Sequence, residues 1–231
     1  MPIQTIQVSQ NILDRNSEIA RQNRSRLDAA GILALNLMAS PGAGKTSLIV
    51  ETVRALKNRL RVGMINSDTT SAAMDAERAE NAGATVIHLD TAGRCHLDAG
   101  MVRDAMAQLP LRQLDLLLIE NIGNLVCPAP WLLGSHLNVL IASTPEGDDK
   151  PYRYPRIYSG VDALVINKID LLPYVPFDLD CFTRGVAALN NSLVRFPLSC
   201  RSGAGLDRWF HWVSSANTSL VEKFAVPPEA S

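Results

Sequence analysis

The sequence predicts an α/β fold, a doubly wound and mostly parallel sheet with helices on both faces. Three observations predict it. Apolar runs alternate with amphipathic segments along most of the 231 residues. The runs are nearly continuous rather than alternating, as strands covered on both faces must be. A glycine-rich stretch, Ser40-Pro41-Gly42-Ala43-Gly44-Lys45-Thr46-Ser47, falls between the first run and the amphipathic segment that follows.

Each element has its own signal. Ile12, Leu13, Asn16, Ile19, Ala20, Asn23 and Leu27 recur near a 3.6-residue period over 10–30, and Gly31 stands where a helix stops. Strands are expected at 32–38, 62–66, 85–89, 114–119, 137–142, 163–167 and 193–198. Helices are expected between them at 46–59, 72–82, 97–108 and 182–189, with a last one at 206–215. Strand–helix alternation at this spacing is the mark of parallel strands joined by crossovers. The organisation expected is a helical extension over 1–31, one nucleotide-binding domain over 32–216 and a tail over 217–231.

Composition narrows the function classes. With 22 basic and 23 acidic residues the net charge is −1, which excludes binding of nucleic acid by bulk charge. No apolar run reaches the ~18–20 residues of a membrane span, so no membrane partner is expected. Met1–Arg24 lacks the apolar core of an export signal. A cytoplasmic location, with the four cysteines reduced, is the expectation.

The glycine-rich stretch matches the end of G-x-x-x-x-G-K-[ST], with Ala39 in place of the first glycine. Gly42, Ala43 and Gly44 would turn backbone N–H groups around phosphate oxygens, and Ser47 opens the helix behind them. Lys45 adds a point charge at the β- and γ-phosphates, and the Thr46 hydroxyl is an expected Mg²⁺ ligand. The predicted class is therefore a P-loop NTPase. Asn167-Lys168-Ile169-Asp170 follows a strand as N-K-x-D. An aspartate there can accept from the N1–H and N2–H₂ edge of guanine, which adenine does not present, so GTP and GDP are the expected nucleotides. Asn167 and Lys168 would brace the loop and cover the ring. Cys200, after the last strand, is a candidate backbone donor to the guanine carbonyl, or part of an ordinary turn.

Acids end two strands on the same edge. Glu120 closes Leu114–Ile119 in the Walker B manner, to hold Mg²⁺ through water or orient the attacking water. Gly123 stands where an N–H can reach a γ-phosphate oxygen. Asp68 follows the second strand as a Mg²⁺ ligand and catalytic acid beside Lys45 and Glu120, or alternatively as a helix cap. Cys95, His96 and Cys127 lie in loops that follow parallel strands. Two thiolates and an imidazole suit Zn²⁺ or Ni²⁺, the fourth position going to water or a second subunit; the alternative is that the cysteines are small buried hydrophobes. His136 is a weaker candidate ligand, whereas Cys181, His88 and His211 read as structural.

The segments Gly93–Ala99, Glu120–Pro128 and Glu146-Gly147-Asp148-Asp149-Lys150-Pro151 with Tyr154-Pro155, taken with the P-loop and N-K-x-D, resemble the HypB family of nickel-insertion GTPases of NiFe-hydrogenase maturation. The resemblance spans about Ile12 to Val213. It implies a cytosolic GTPase that dimerises with GTP and holds Ni²⁺ or Zn²⁺ at Cys95, His96 and Cys127, with slow turnover expected from a departure at Asn66. It further implies work with a small zinc-containing maturation protein to deliver Ni²⁺ to the hydrogenase large subunit precursor. The chain departs from the family at two places. Met1–Arg24 has neither Cys nor His to bind nickel, and Asn66-Ser67-Asp68 stands where the family carries Glu-Gly-Asp. The loss of that glutamate favours one alternative, a GTP-regulated metal-binding dimerisation module with weak hydrolysis; a second alternative, an accessory GTPase for another metalloenzyme, is opposed by the Val126-Cys127-Pro128 loop.

Overall fold

A computed structural model describes residues 8–67 and 72–224. In chain order the elements are α1 (Val8–Ala30), β1 (Leu33–Ala39), α2 (Lys45–Leu56), β2 (Val62–Asn66), α3 (Ala72–Ala82), β3 (Thr85–His88), α4 (Ala99–Met106) and β4 (Leu116–Glu120). There follow β5 (Leu137–Ser143), α5 (Lys150–Arg153), α6 (Pro155–Ser159), β6 (Ala163–Asn167), α7 (Leu179–Leu189), β7 (Val194–Pro197) and α8 (Leu206–Phe224). The strands form one seven-stranded sheet in the order β3-β2-β4-β1-β5-β6-β7. Every pairing is parallel.

From β1 the chain runs out to β2 and β3, returns to lay β4 beside β1, and then builds β5, β6 and β7 on the other side, so the strand order reverses at β1. Ligands of open α/β sheets bind beyond the carboxyl ends of the strands at that point, and the P-loop leaves β1 there. Alternate residues of β1 point to opposite faces. Leu33, Leu35, Leu37 and Ala39 join the core under α2 and α8, where Leu48, Ile49, Trp209 and Val213 are buried. Ala34 faces α1 and α4, packing with Leu27, Val102 and Met106. A third cluster fills the space between β5, β6, α6 and α7 around Phe182 and Tyr158.

The structure differs from the sequence expectations at element ends. The last helix runs on from 215 to Phe224, through residues expected as a tail, because Asn217 is buried and donates to the Asp115 carbonyl at 2.8 Å. Helix α4 starts at Ala99 rather than 97, since Asp98 caps it by accepting from the Met101 N–H at 2.9 Å. Helix α7 starts earlier than 182, because Asp178 caps it through the Cys181 N–H at 2.9 Å. The short helices α5 and α6 have no periodic signal at their length. β3 and β7 are half-exposed because they are the sheet edges.

Candidate nucleotide and metal site

The P-loop needs backbone that only glycine adopts easily. Gly42 has φ +76° and Gly44 φ +101°. Ala39 needs no such freedom: it is the last residue of β1, paired with Ile141, so alanine serves where the motif has glycine. A Cβ at Gly44 would lie 2.3 Å from Asn167 Nδ2. Asn167 in turn donates through Nδ2 to the Ala43 carbonyl at 2.9 Å, and Lys168 Nζ donates to the Gly42 carbonyl at 2.6 Å. Lys168 itself stands at φ +62°. The N-K-x-D segment is thus latched onto the phosphate loop, a contact that neither motif announces by itself.

Between them lies a cavity of about 380 Å³ lined by Gly44, Ser47, Lys168, Asp170, Cys200 and Arg201, among others. Asp170 Oδ1 is buried and has no hydrogen-bond partner. A buried acceptor left unpaired is costly, and one at the rim of a cavity is what a ligand with matching donors satisfies. The Cys200 N–H donates to Asn167 Oδ1 at 3.2 Å. Its thiol is pushed up to about 11, mainly by burial and then by the charge of Glu51, so it is neutral at physiological pH.

At the opposite end of the P-loop, Lys45 and Thr46 are buried. Thr46 Oγ1 donates to Glu120 Oε1 at 2.7 Å. The other oxygen, Oε2, accepts from Asn66 Nδ2 at 2.9 Å, and Asn66 Oδ1 meets His88 Nδ1 at 2.9 Å. Because the amide of Asn66 faces Glu120, its oxygen faces His88, which must supply the proton. The hydroxyl and carboxylate at Thr46 and Glu120 are hard oxygen donors that fit Mg²⁺. Asp68 lies outside the described residues. Gly123 packs against the P-loop so closely that a Cβ there would come within 3.1 Å of the Pro41 nitrogen.

Cys95, His96 and Cys127 come together. Cys95 Sγ is 3.6 Å from His96 Nδ1. A hydrogen bond with the Cys127 thiol, then burial, raises the Cys95 thiol above its ordinary value. His96 stacks on Trp131 with ring centroids 4.3 Å apart, and burial lowers its pKa, keeping the imidazole neutral and available as a donor. Among the described residues no group of three or more His, Cys, Asp or Glu is disposed around an ion position; Cys95 instead meets His96 on one side and Cys127 on the other. Asn121, next to Glu120, accepts from the Leu97 N–H at 3.3 Å and donates to Asn36 Oδ1 at 3.1 Å. It links the Walker B strand to the loop that carries His96.

His136 does not join this group. Its Nδ1 accepts from the Ala34 N–H at 3.0 Å and its Nε2 meets Asp28 Oδ1 at 2.8 Å. It precedes β5, at the amino edge of the sheet, whereas Cys127 follows β4 at the carboxyl edge. Nearness in sequence hid that crossing. Cys181 lies on α7, beside Tyr152. Sequence reasoning assigned no role to Glu146, whose carboxylate accepts from Ser40 Oγ at 2.6 Å and Ser143 Oγ at 2.7 Å. It fastens the start of the P-loop to the end of β5. Its signal was the Glu-Gly-Asp-Asp-Lys-Pro segment, which carried a resemblance but no stated chemistry.

Residues 33–195 match the family model described as CobW/HypB/UreG, nucleotide-binding domain. The hydrogenase maturation factor HypB of Escherichia coli K12 is 39% identical over 210 residues, covering 91% of this chain and 72% of the relative. The crystal structure of the hydrogenase maturation factor HypB from Archaeoglobus fulgidus superposes with a TM-score of 0.83 at 32% identity, covering 88% of this chain and 99% of the other. The structure of HypB from Helicobacter pylori in complex with nickel also gives 0.83, at 29% identity, covering 94% of this chain and 99% of the other.

Proposed function

The chain belongs to the CobW/HypB/UreG family of nucleotide-binding domains, and from that premise we propose that it is a GTP-hydrolysing metallochaperone that aids nickel insertion into NiFe-hydrogenase. GTP enters between the P-loop and the N-K-x-D segment, and the unpartnered Asp170 Oδ1 supports guanine as its base. Lys45 and the α2 N-terminus meet the phosphates. Mg²⁺, held near Thr46 with Glu120 and with Asp68 assigned from sequence, would neutralise charge developing on the β- and γ-oxygens. Buried Glu120 is fixed by Thr46 and Asn66, so it is ready to orient water without reorganisation. Ni²⁺ is the cargo. Cys95, His96 and Cys127 hold it as borderline-soft donors, and a second copy of the chain completes the set in the GTP-bound dimer. The protein acts in the cytoplasm with a small zinc-containing maturation protein and the hydrogenase large subunit precursor.

The observation that carries this reading is the shared switch loop. Gly123 packs against Pro41 of the P-loop, and Cys127 follows four residues later in the same loop. A loop that shifts with the γ-phosphate must move a metal ligand, and metal–ligand distances tolerate only about 0.2 Å. Nickel titrated into the GDP-bound and non-hydrolysable-GTP-bound forms should show different affinities. Equal affinities would refute the coupling, and an unchanged affinity in Cys127→Ala would remove Cys127 from the site. In a host with a NiFe-hydrogenase, loss of the chain should lower hydrogenase activity, and Cys127→Ala should fail to restore it.

Asn66 supports a second reading. Its neutral amide occupies a buried position beside Glu120 where a family glutamate would bring charge, which favours a GTP-regulated metal-binding dimer with weak hydrolysis. Single-turnover hydrolysis separates the two: GTP consumed more slowly than the dimer assembles and releases metal makes hydrolysis dispensable.

A further inference from the structure

We infer that α1 is a positioning element for the metal loops, with Asn16 and Asn23 tying the backbone just beyond His96 to the backbone just beyond Cys127. The inference rests on the assignment of Cys95, His96 and Cys127 as nickel ligands. Asn16 and Asn23 are seven residues, about two turns, apart and so share a helix face. Both are buried. Asn16 Oδ1 accepts from the Ala99 N–H at 2.8 Å, while its Nδ2 donates to the Leu132 carbonyl at 2.8 Å. Asn23 Nδ2 donates both to the Ala99 carbonyl at 2.8 Å and to the Leu133 carbonyl at 3.0 Å. Each amide therefore bridges the two loops. Ala99 lies three residues after His96; Leu132 and Leu133 follow Trp131, the residue on which His96 stacks.

A simple helix cap would not need this arrangement. The Ala99 N–H is one of the first N–H groups of α4 and needs a partner, which any hydroxyl or carboxylate could supply. An asparagine that accepts from one loop and donates to the other fixes their separation. Burying a second asparagine costs free energy unless it is bonded, and Asn23 Oδ1 has no partner at all. That cost is retained for the two donations, which again run one to each loop. Gly134 allows the close approach: a Cβ there would meet the Ala20 carbonyl at 2.5 Å. The loops reach the metal from different strands, and α1 is the element that holds both.

Asn→Asp substitutions dissect the brace. Asn16→Asp keeps the acceptor for Ala99 and loses the donor to Leu132; Asn23→Asp loses both donors. In the full chain each should lower Ni²⁺ affinity by ~10–100-fold, the usual effect of removing a group that orients a metal ligand, measured by competition with a chromophoric chelator and by the thiolate-to-nickel absorption band. Affinity for a fluorescent guanine nucleotide should stay within twofold, a split that general destabilisation does not produce. Folded variants that bind Ni²⁺ like the parent would overturn the inference. If Cys127→Ala also binds like the parent, it is the ligand assignment that has failed. Linkage supplies a test in the unaltered protein, whatever the variants do: Ni²⁺ should slow amide hydrogen exchange over 12–27 of α1, and exchange there that ignores the metal would overturn the brace.

Discussion

Replacing Asp170 by Asn should act in opposite directions on the empty protein and on its complex with GTP. In the nucleotide-free chain, Oδ1 of Asp170 is a buried oxygen without a partner. Exchanging the carboxylate for an amide breaks no hydrogen bond at that oxygen, so the thermal midpoint should hold or rise. In the proposed complex, the carboxylate would accept two hydrogen bonds from the guanine edge. Bonds to a charged group are each worth ~1.5–3 kcal/mol. Their loss amounts to about 3–6 kcal/mol, or roughly 10²–10⁴ in affinity at 1.4 kcal/mol per tenfold. The amide also turns a donor toward donors, so the preference should move to a base with a carbonyl at C2. Competition of GTP, ATP and xanthosine triphosphate against a fluorescent guanine nucleotide reads this directly. GTP should fall toward ATP, and the xanthosine nucleotide should overtake it. A variant that keeps the parent's preference for GTP refutes the guanine assignment.

Lys45→Ala and Thr46→Ala should each lower Mg²⁺–GTP affinity or single-turnover hydrolysis by about tenfold or more while circular dichroism stays that of the parent; parental hydrolysis in both would mean that the loop binds something else. Ala92 is exposed and sits at φ +50°. There a Cβ costs ~1–2 kcal/mol, against ~0.5–1 kcal/mol for the entropy of glycine, so Ala92→Gly should stabilise by about 0.5–1 kcal/mol in urea denaturation; a destabilised variant would contradict this. His136 is held neutral because burial lowers its pKa, although the hydrogen bond to Asp28 pulls the other way. Its folded value lies below the unfolded value of about 6.5, so the unfolded chain binds the extra proton. The stability it contributes is therefore present above pH ~6.5 and is lost as pH falls through the folded value. Urea midpoints should drop from pH 8 toward pH 5, and less steeply in His136→Gln; a flat parental profile would refute the neutral assignment.

The legible parts of the site were contiguous ones. The P-loop and N-K-x-D each pack their chemistry into a few adjacent residues, and the sequence placed both after strands. The cysteines and His96 were legible as donors in loops on the nucleotide edge, since every strand is parallel and every following loop emerges there. The role of Asn66 was read only as a lost carboxylate; its two bonds, to Glu120 and His88, link three strands. Glu146 and Asn121 escaped for the same reason, their partners lying on other elements.

The sequence by itself determined the fold class and the edge of the sheet from which the P-loop and the N-K-x-D segment emerge. Apolar runs and glycine-rich turns are local, and their consequences follow from backbone geometry alone. Only the tertiary structure decided which loops touch. His136, nine residues from Cys127, faces Asp28 and Ala34 at the other end of the sheet. Asn16 reaches the Leu132 carbonyl across 116 residues, and Asn23 reaches Leu133 across 110. The partners in those bonds are main-chain carbonyls, which every residue carries and no residue type marks. Asn16 and Asn23 read from sequence as members of the helix's apolar period, but the period says only which face they share, and packing decides what that face bonds.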